Sequence, residues 1–421
     1  MYDKRLRINR AVTIVPNNDG GMAAVNTASG DAFLIASPVF AVLEAFSQPT
    51  LVSVVIKALM RPNGYSEDEL MGHIRKMYEH KFLVEESHRG LAAQERHYFG
   101  AYQHISNQKE MLMDSARTNA FMAAIAESVG PHDVVIDVGS GTGILALFAA
   151  REGARKVFAI ERSKIIVIAE EIAKRNGYSN QISFMQCMAE EFQCKEQASV
   201  IVSEWLGDFV LRELMFKSFC SVRDRYAGPD IKCIPSRVRM YIAPIEDAAI
   251  WRKNGPGYWL SPVYGFNFAT AFDIEQEKLG STRVSIPEAA YLSERAIVND
   301  IDCANATIDE FYFSSGVEFV ISRNGALHGF SGSFDMQLSP TVWLDTGSHA
   351  KSTHWEQVFF PLLDALPVKM GDHIVLQLKM QEPGNPQKRV PDTFLDMKVY
   401  RGPELIHSFS SWYDKARGGM F

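Results

Sequence analysis

The chain is poor in cysteine, has no excess of positive charge and contains no long apolar run. Its five cysteines, Cys187, Cys194, Cys220, Cys233 and Cys303, are odd in number and include no C-x-x-C pair. This argues against a disulfide framework or a structural zinc site, leaves no metal ligand set to expect, and makes a reducing cytoplasm the simplest setting. Lysine and arginine total 43 against 50 aspartate and glutamate, a net charge of -7. A general nucleic-acid binder would show the opposite balance, so the charge favours a cationic partner. The N-terminal MYDKRLRINRAV lacks the apolar core of a signal peptide, and no apolar run would cross a bilayer, so no membrane partner is expected. There is no internal repeat and no low-complexity tail. What remains is ordinary globular composition, 47% apolar and 22% charged, over 421 residues. That length exceeds one usual core and suggests two or three domains.

The chain is organised around residues 134 to 161, VVIDVGSGTGILALFAAREGARKVFAIE. An apolar run enters Asp137, Gly139, Gly141 and Gly143 follow at alternate positions, and an alanine-rich helical pattern leads to a second apolar run ending on Glu161. Strand, tight glycine turn, helix and strand make a βαβ unit that brings backbone close to a ligand, with an acidic end able to accept hydrogen bonds from a ribose diol. A dinucleotide fingerprint needs G-x-G-x-x-G, but here the third glycine comes one residue early and Ile144 takes the next place. Asp137 would repel a pyrophosphate, whereas it suits the cationic end of S-adenosylmethionine (SAM).

Around this unit the patterns change twice. Residues 11 to 35 alternate short apolar runs with turn chemistry and predict a three-stranded meander, and three helical patterns follow, the last opened by the capping box Ser66-Glu67-Asp68-Glu69. Together they predict a winged-helix-like module over residues 1–90. Residues 95–233 read as a Rossmann-like domain in which Met111, Asp114 and Arg117 share one long helix. Its strand at residues 198 to 202 ends on Ser203-Glu204-Trp205-Leu206-Gly207, which sets Glu204 where ligands bind in an open α/β sheet. From residue 234 to 421 β patterns take over and predict an antiparallel barrel or sandwich, interrupted by an aromatic and glycine-rich excursion near 250–275.

Two resemblances sharpen these patterns. SPVFAVLEAF, TLVSVVIKAL and SEDELMGHIRKMYEHKFLVEE resemble the PqqD-like domains with which bacterial peptide-modifying enzymes grip a precursor leader, where the leader adds a strand beside the third helix. From Tyr98 to about Tyr413 the chain resembles the protein arginine methyltransferases. The motifs YFGAY, EMLMDSART, VIDVGSGTGILALFAAREGARKVFAIE, VSEWLGDFVLRELM, IPSRVRMYIAPIED and STHWEQVFF stand in order. That resemblance implies a SAM-binding domain joined to a β-barrel with an inserted arm that makes homodimers. It implies that Arg117 pairs with the SAM carboxylate, Glu161 with the ribose, and that Glu190 lies by the adenine. Asp137 and the three glycines would shape the methionyl pocket, and Tyr98, Phe99 and Tyr102 would form a lid. Glu204 and Glu213 would clamp the guanidinium, with His354 and its partner Asp114 beside them. Met111 and Met215 would limit space at the acceptor nitrogen, and Asp208 and Trp355 would lie on the substrate side.

The chemistry of the residue types agrees. A guanidinium is a poor nucleophile because its charge is delocalised. Two carboxylates in fork geometry draw that charge to one side and free one terminal nitrogen to attack in line. Histidine can take up the released proton. Three departures from the family pattern stand out: Asp208 where a tyrosine is common, Gln108 where a histidine is common, and Ser199 for an acidic residue. The expected function is SAM-dependent methylation of arginine in a ribosomally made precursor peptide, leader and core, captured by the N-terminal module. The alternatives are a general protein arginine methyltransferase with a regulatory module, a methyltransferase acting on another peptide side chain, or a scaffold that binds peptide and SAM without turnover.

Overall fold

Short alternating runs and strong turn signals leave the N-terminal segment a layered α/β design, and the chain divides into two compact units, Met1–His97 and Tyr98–Phe421. The computed structural model describes residues 1–421 except 1, 3, 10–11, 17–21, 27–30, 36, 48–49, 64, 86–104, 211–214, 277–278, 383–390 and 414–421. No helix among the described residues is long and apolar enough to cross a membrane.

The first unit contains strands β1 (Arg5–Ile8), β2 (Val12–Pro16), β3 (Met22–Asn26), β4 (Ala32–Leu34), β5 (Thr50–Leu51) and β6 (Leu83–Glu85), with helices α1 (Ser37–Ala45), α2 (Val52–Asn63) and α3 (Glu67–Glu79). β2, β3 and β4 form the expected meander. A second three-stranded sheet, β5-β1-β6, departs from the three-strand expectation. Its strands are two to four residues long, too short to display alternation, and they pair between distant parts of the unit. Ser66 caps α3 through its hydroxyl, which accepts from the Glu69 amide. Leu70, Ile74 and Met77 on that helix close a core with Leu6, Val42, Phe46, Val52 and Phe82.

The second unit opens with α4 (Ile105–Met113) and α5 (Ser115–Ser128). The one long helix expected there is broken at Asp114, whose Oδ1 accepts from the Arg117 amide at 3.0 Å. A short carboxylate at that place satisfies an orphan donor and starts a new helix. Next come β7 (Val134–Val138), α6 (Ile144–Arg151), β8 (Lys156–Ile160), α7 (Ile166–Arg175), β9 (Ile182–Met185), β10 (Ala198–Val202), α8 (Phe216–Tyr226) and β11 (Ala227–Ile234). The parallel sheet has the order β11-β10-β7-β8-β9. β7 is buried at all five positions, as the unbroken apolar run of a central parallel strand requires. The chain runs outward from β7 to β9 and then returns to β10 on the other side of β7. The carboxyl ends of β7 and β10 therefore flank the topological switch point, where open α/β sheets bind ligands.

The antiparallel part follows with β12 (Arg237–Ile245), α9 (Ala248–Asn254), α10 (Ala269–Gln276), β13 (Thr282–Val284), β14 (Ala296–Asp302), β15 (Ser314–Val320), β16 (Gly325–Gln337), β17 (Trp343–Asp345), β18 (Gln357–Val368), β19 (His373–Gln381), β20 (Asp392–Arg401) and β21 (Glu404–Tyr413). These make a barrel-like pair of sheets, β13-β18-β16-β12-β14 with β17 beside β16, and β15-β19-β20-β21. α9 and α10 form the excursion between β12 and β13, and it exposes Tyr258, Leu260, Tyr264, Phe266 and Phe268.

One hydrophobic core runs from Phe121 on α5 through the parallel sheet to Tyr413 at the end of β21. Polar contacts tie the same parts together. Glu127 on α5 accepts from Ser339 and Thr341 in the β16–β17 connection. Buried Arg223 on α8 donates through Nη1 to the carbonyls of Cys303 and Ala306, at 2.8 and 2.7 Å. Methionine has nearly the reach of arginine but no donor, so Arg223→Met leaves the buried Cys303 carbonyl unmatched and the Ala306 carbonyl with only the weak Cys220 thiol. We expect it to lower unfolding stability by about 2–4 kcal/mol, read as an earlier urea midpoint at unchanged slope.

Candidate active site

The glycine loop after β7 is built by left-handed backbone. Gly139, Gly141 and Gly143 have φ of +78°, +54° and +81°, a region that any β-carbon would strain. Space is short as well. A β-carbon on Gly139 would come within 2.8 Å of the Met215 methyl, and one on Gly141 within 2.7 Å of the Gln108 carbonyl oxygen. The loop amides are claimed in turn. Gly139 and Ser140 both donate to the Ile160 carbonyl at 2.9 Å, and Gly141 donates to Glu161 Oε2 at 3.1 Å. Thr142 donates to Gln108 Oε1 at 3.3 Å. The other Glu161 oxygen accepts from the Ser163 amide at 2.6 Å, so that carboxylate is held rigidly at the end of β8.

Asp137 lies beneath this loop with no exposed surface, and its Oδ2 accepts from the Ala146 amide at 3.0 Å. Burial pushes its carboxyl up to about 7; the Ala146 amide pulls the other way, and nearby Glu161 adds to the rise. Asp137 Oδ1, Ser140 Oγ and Arg117 Nε are buried without a hydrogen-bond partner among the described residues. A buried polar atom left unpaired costs about 1–3 kcal/mol. Three on the elements that meet at the switch point mark a place prepared for a polar ligand.

Four side chains converge beside the loop. Glu204, just past β10, has a side chain 13% exposed, and its Oε2 stands 3.8 Å from Arg117 Nε. Its other oxygen accepts from the Leu206 amide at 3.1 Å. Arg117 is positioned from below, where its Nη1 donates to the Met111 carbonyl at 3.2 Å. Asp114 uses Oδ1 to cap α5, and its Oδ2 meets both the backbone amide of His354 at 2.9 Å and His354 Nδ1 at 2.8 Å. Burial raises the Asp114 carboxyl, but the His354 ring, the Arg117 amide and the His354 amide together hold it below the usual range. The pair is therefore an ionised carboxylate orienting an imidazole.

Trp355, expected on the substrate side, is 2% exposed and donates through its indole to the Leu206 carbonyl at 2.8 Å. It packs edge-on against Phe334 and serves to fasten the two loops rather than to face solvent. Asp208 lies 3.8 Å from Arg283, so the extra carboxylate noticed in the sequence stands beside a cation. Glu190 is exposed and accepts from Ser218 at 2.8 Å. Met215 sits at the start of α8 with its methyl against Gly139. Tyr98, Phe99, Tyr102 and Glu213 lie outside the described residues. The departure at Gln108 bears on packing on the cofactor side, and the structure supplies its consequence: the Gln108 side chain fixes the glycine loop. Ser203, named in the sequence only as the end of the strand motif, donates its hydroxyl to the Val138 carbonyl at 2.6 Å, and Arg283 carried no signal in the sequence.

With this geometry in view, similarity to known proteins becomes informative. A family model described as the arginine methyltransferase oligomerization subdomain matches residues 236–414, and one described as ribosomal protein L11 methyltransferase (PrmA) matches residues 116–222. Protein arginine N-methyltransferase 1 of Schizosaccharomyces pombe is 36% identical over 294 residues, covering 68% of this chain and 84% of the relative. The protein of that name from Dictyostelium discoideum is 32% identical over 285 residues, covering 66% and 82%. Among solved structures, the Trypanosoma brucei PRMT1 enzyme-prozyme heterotetrameric complex with AdoHcy superposes with a TM-score of 0.68 at 28% identity, over 74% of this chain and 99% of that one. Arabidopsis thaliana protein arginine methyltransferase 10 gives 0.66 at 28%, over 75% and 99%.

The raised Asp137 carboxyl has a signed consequence. Between the ordinary aspartate value and about 7 the folded chain keeps a proton that the unfolded chain has lost. Asp137 therefore lowers stability as pH rises through that window and adds no further slope above it. Asp137→Asn keeps an acceptor for Ala146 but does not ionise. Urea unfolding from pH 4 to 8 should show the variant gaining on the wild type up to about pH 7, by roughly 2–4 kcal/mol, and by no more beyond.

Proposed function

The chain belongs to the protein arginine N-methyltransferases, which are SAM-dependent enzymes, and from that premise we propose how its own residues divide the work. The observation that carries the proposal is the convergence of Glu204, Arg117, Asp114 and His354 beside the glycine loop. The buried atoms of Asp137, Ser140 and Arg117 that have no hydrogen-bond partner among the described residues suit a ligand that offers a cationic centre, hydroxyl groups and a carboxylate. Bound there, SAM supplies a methyl group on positively charged sulfur, activated for displacement.

On this reading Arg117 receives the amino-acid carboxylate, and Glu161 accepts from the ribose hydroxyls with the lone pairs that Gly141 and Ser163 leave. Glu190 lies by the adenine, and Asp137 with the three glycines shapes the methionyl end. Glu204, together with Glu213, binds the acceptor guanidinium and draws its charge away from the attacking nitrogen. Met111 and Met215 limit the space around that nitrogen. His354, oriented by ionised Asp114, accepts the released proton. Tyr98, Phe99 and Tyr102 form the lid. The substrate class supported best is arginine in proteins, the general activity that the relatives' names carry.

Finer readings rest on this one. The domain limits proposed are 1–90, 95–233 and 234–421. The excursion near 250–275 is proposed as a dimerisation arm, supported by Tyr264 and Phe266, 95% and 69% exposed within the span matched by the oligomerization subdomain. The N-terminal unit is proposed as a winged-helix-like module of PqqD type that captures the leader of a precursor peptide. Supporting this are β4, paired only to β3 among the described residues, and Leu34 on it, 67% exposed. A strand added at that edge would gain main-chain hydrogen bonds. The five free thiols agree with a cytoplasmic setting.

Two outcomes test these assignments. Glu204→Gln keeps shape and removes charge, and should lower turnover of an arginine peptide about 10²–10³-fold, while SAM affinity measured by calorimetry changes less than about tenfold; undiminished turnover would remove the clamp. For the N-terminal module, an excess of an isolated leader peptide should slow methylation of the precursor that carries that leader and leave that of a leaderless arginine peptide unchanged. Equal rates with and without the competitor would leave the enzyme as a general methyltransferase.

A further inference from the structure

We propose that Arg283 is a positioning residue that locks the mouth of the glutamate loop to the histidine loop, and so sets how the acceptor is presented; the proposal rests on the acceptor-site reading above. Arg283 lies on β13, where its Cα stands opposite Val358 of β18, two residues beyond Glu356. From there one guanidinium reaches both loops. Its Nη1 donates to the His354 carbonyl at 3.0 Å and stands 3.8 Å from Asp208 Oδ1, while its Nε stands 3.9 Å from Glu356 Oε2.

The backbone on both sides explains why such a link matters. Phe209 and Val210, which follow Asp208, have φ of +49° and +66°, and Glu356 has φ of +47°. Residues with side chains persist in that region only where their surroundings over-determine them, and a β-branched valine least of all. At the inner end the constraint is plain. Phe209 packs against Phe360 and over Gly332, and the Trp355 indole holds the Leu206 carbonyl. At the outer end, Arg283 bridges the two strained segments. Exposed ion pairs at this distance contribute little alone. Here the cation spans two loops whose backbones favour relaxation.

Charge gives Arg283 a second effect. Asp208 and Glu356 carry two negative charges and Arg283 one positive, so the trio keeps one net negative charge. An incoming guanidinium is still attracted, but Asp208 is already engaged by a resident cation. Without it, Asp208, four residues from Glu204, loses that cation and competes more strongly for the acceptor. Loss of Arg283 should therefore damage turnover more than binding.

The experiment measures methylation of a synthetic single-arginine peptide by wild type, Arg283→Gln, Arg283→Lys, Asp208→Asn and the Arg283→Gln/Asp208→Asn pair, with hydrogen exchange on the same proteins. We expect Arg283→Gln to lower kcat about tenfold or more with peptide KM unchanged or lower and the KM for SAM within about twofold. Lysine should recover part of the loss, and the paired variant should lose less than the product of the single losses. Amides in segments 204–210 and 352–357 should both exchange several-fold faster in Arg283→Gln. An unchanged kcat, a rise confined to peptide KM, multiplicative losses in the pair, or unchanged exchange in either loop would overturn the proposal. If the wild type methylates no arginine peptide, the acceptor reading fails, and exchange in the two loops alone still decides whether Arg283 holds them.

Discussion

Asp114 uses two oxygens for three partners, and the arrangement of the site follows from them. One oxygen caps α5 through the Arg117 amide; the other takes both the backbone amide and the ring of His354, 240 residues further along the chain. Capping turns the chain at Met113 and starts the helix that carries Arg117 towards Glu204. The second oxygen brings the β17–β18 connection down onto the end of the parallel sheet. Replacing that carboxylate would release both the start of the helix that carries Arg117 and the His354 imidazole, because both are held by the same group.

The sheet order supplies the other half of the geometry. β7 and β10 are neighbours, yet β8 and β9 come between them in sequence. The glycine loop and the glutamate loop are thus side by side although more than sixty residues separate Gly139 from Glu204. Buried groups without partners among the described residues at this point, Asp137 Oδ1 among them, represent stability given up where a ligand is to bind.

Much of this was legible in the sequence because local chemistry fixed it. The glycine spacing, the buried run of β7 and the Ser66 cap each follow from backbone restrictions that act over a few residues. The break at Asp114 was hidden because the apolar pattern continues across it, and a carboxylate acting as a cap cannot be told from one on an exposed helical face by periodicity. The second sheet of the N-terminal unit was missed for another reason: its strands are too short to alternate, and only the closure of the unit pairs them. Gln108 and Arg283 show the deeper limit. Their partners, Thr142, His354 and Asp208, are set by contacts between distant segments, which composition and spacing do not encode. Asp208 taken alone stood out only as a carboxylate where a tyrosine is common; the cation beside it, Arg283, comes from a distant strand.

The unbroken core from Phe121 to Tyr413 bears on how such an enzyme can change over time. The parallel-sheet part and the antiparallel part share one core, and Arg223 and Glu127 stitch them together. Neither half can be exchanged as a module, since a grafted barrel would have to reproduce the packing of its new neighbour. Divergence in acceptor preference is then steered to the few loops that rise above the shared core, while the N-terminal unit keeps a core of its own.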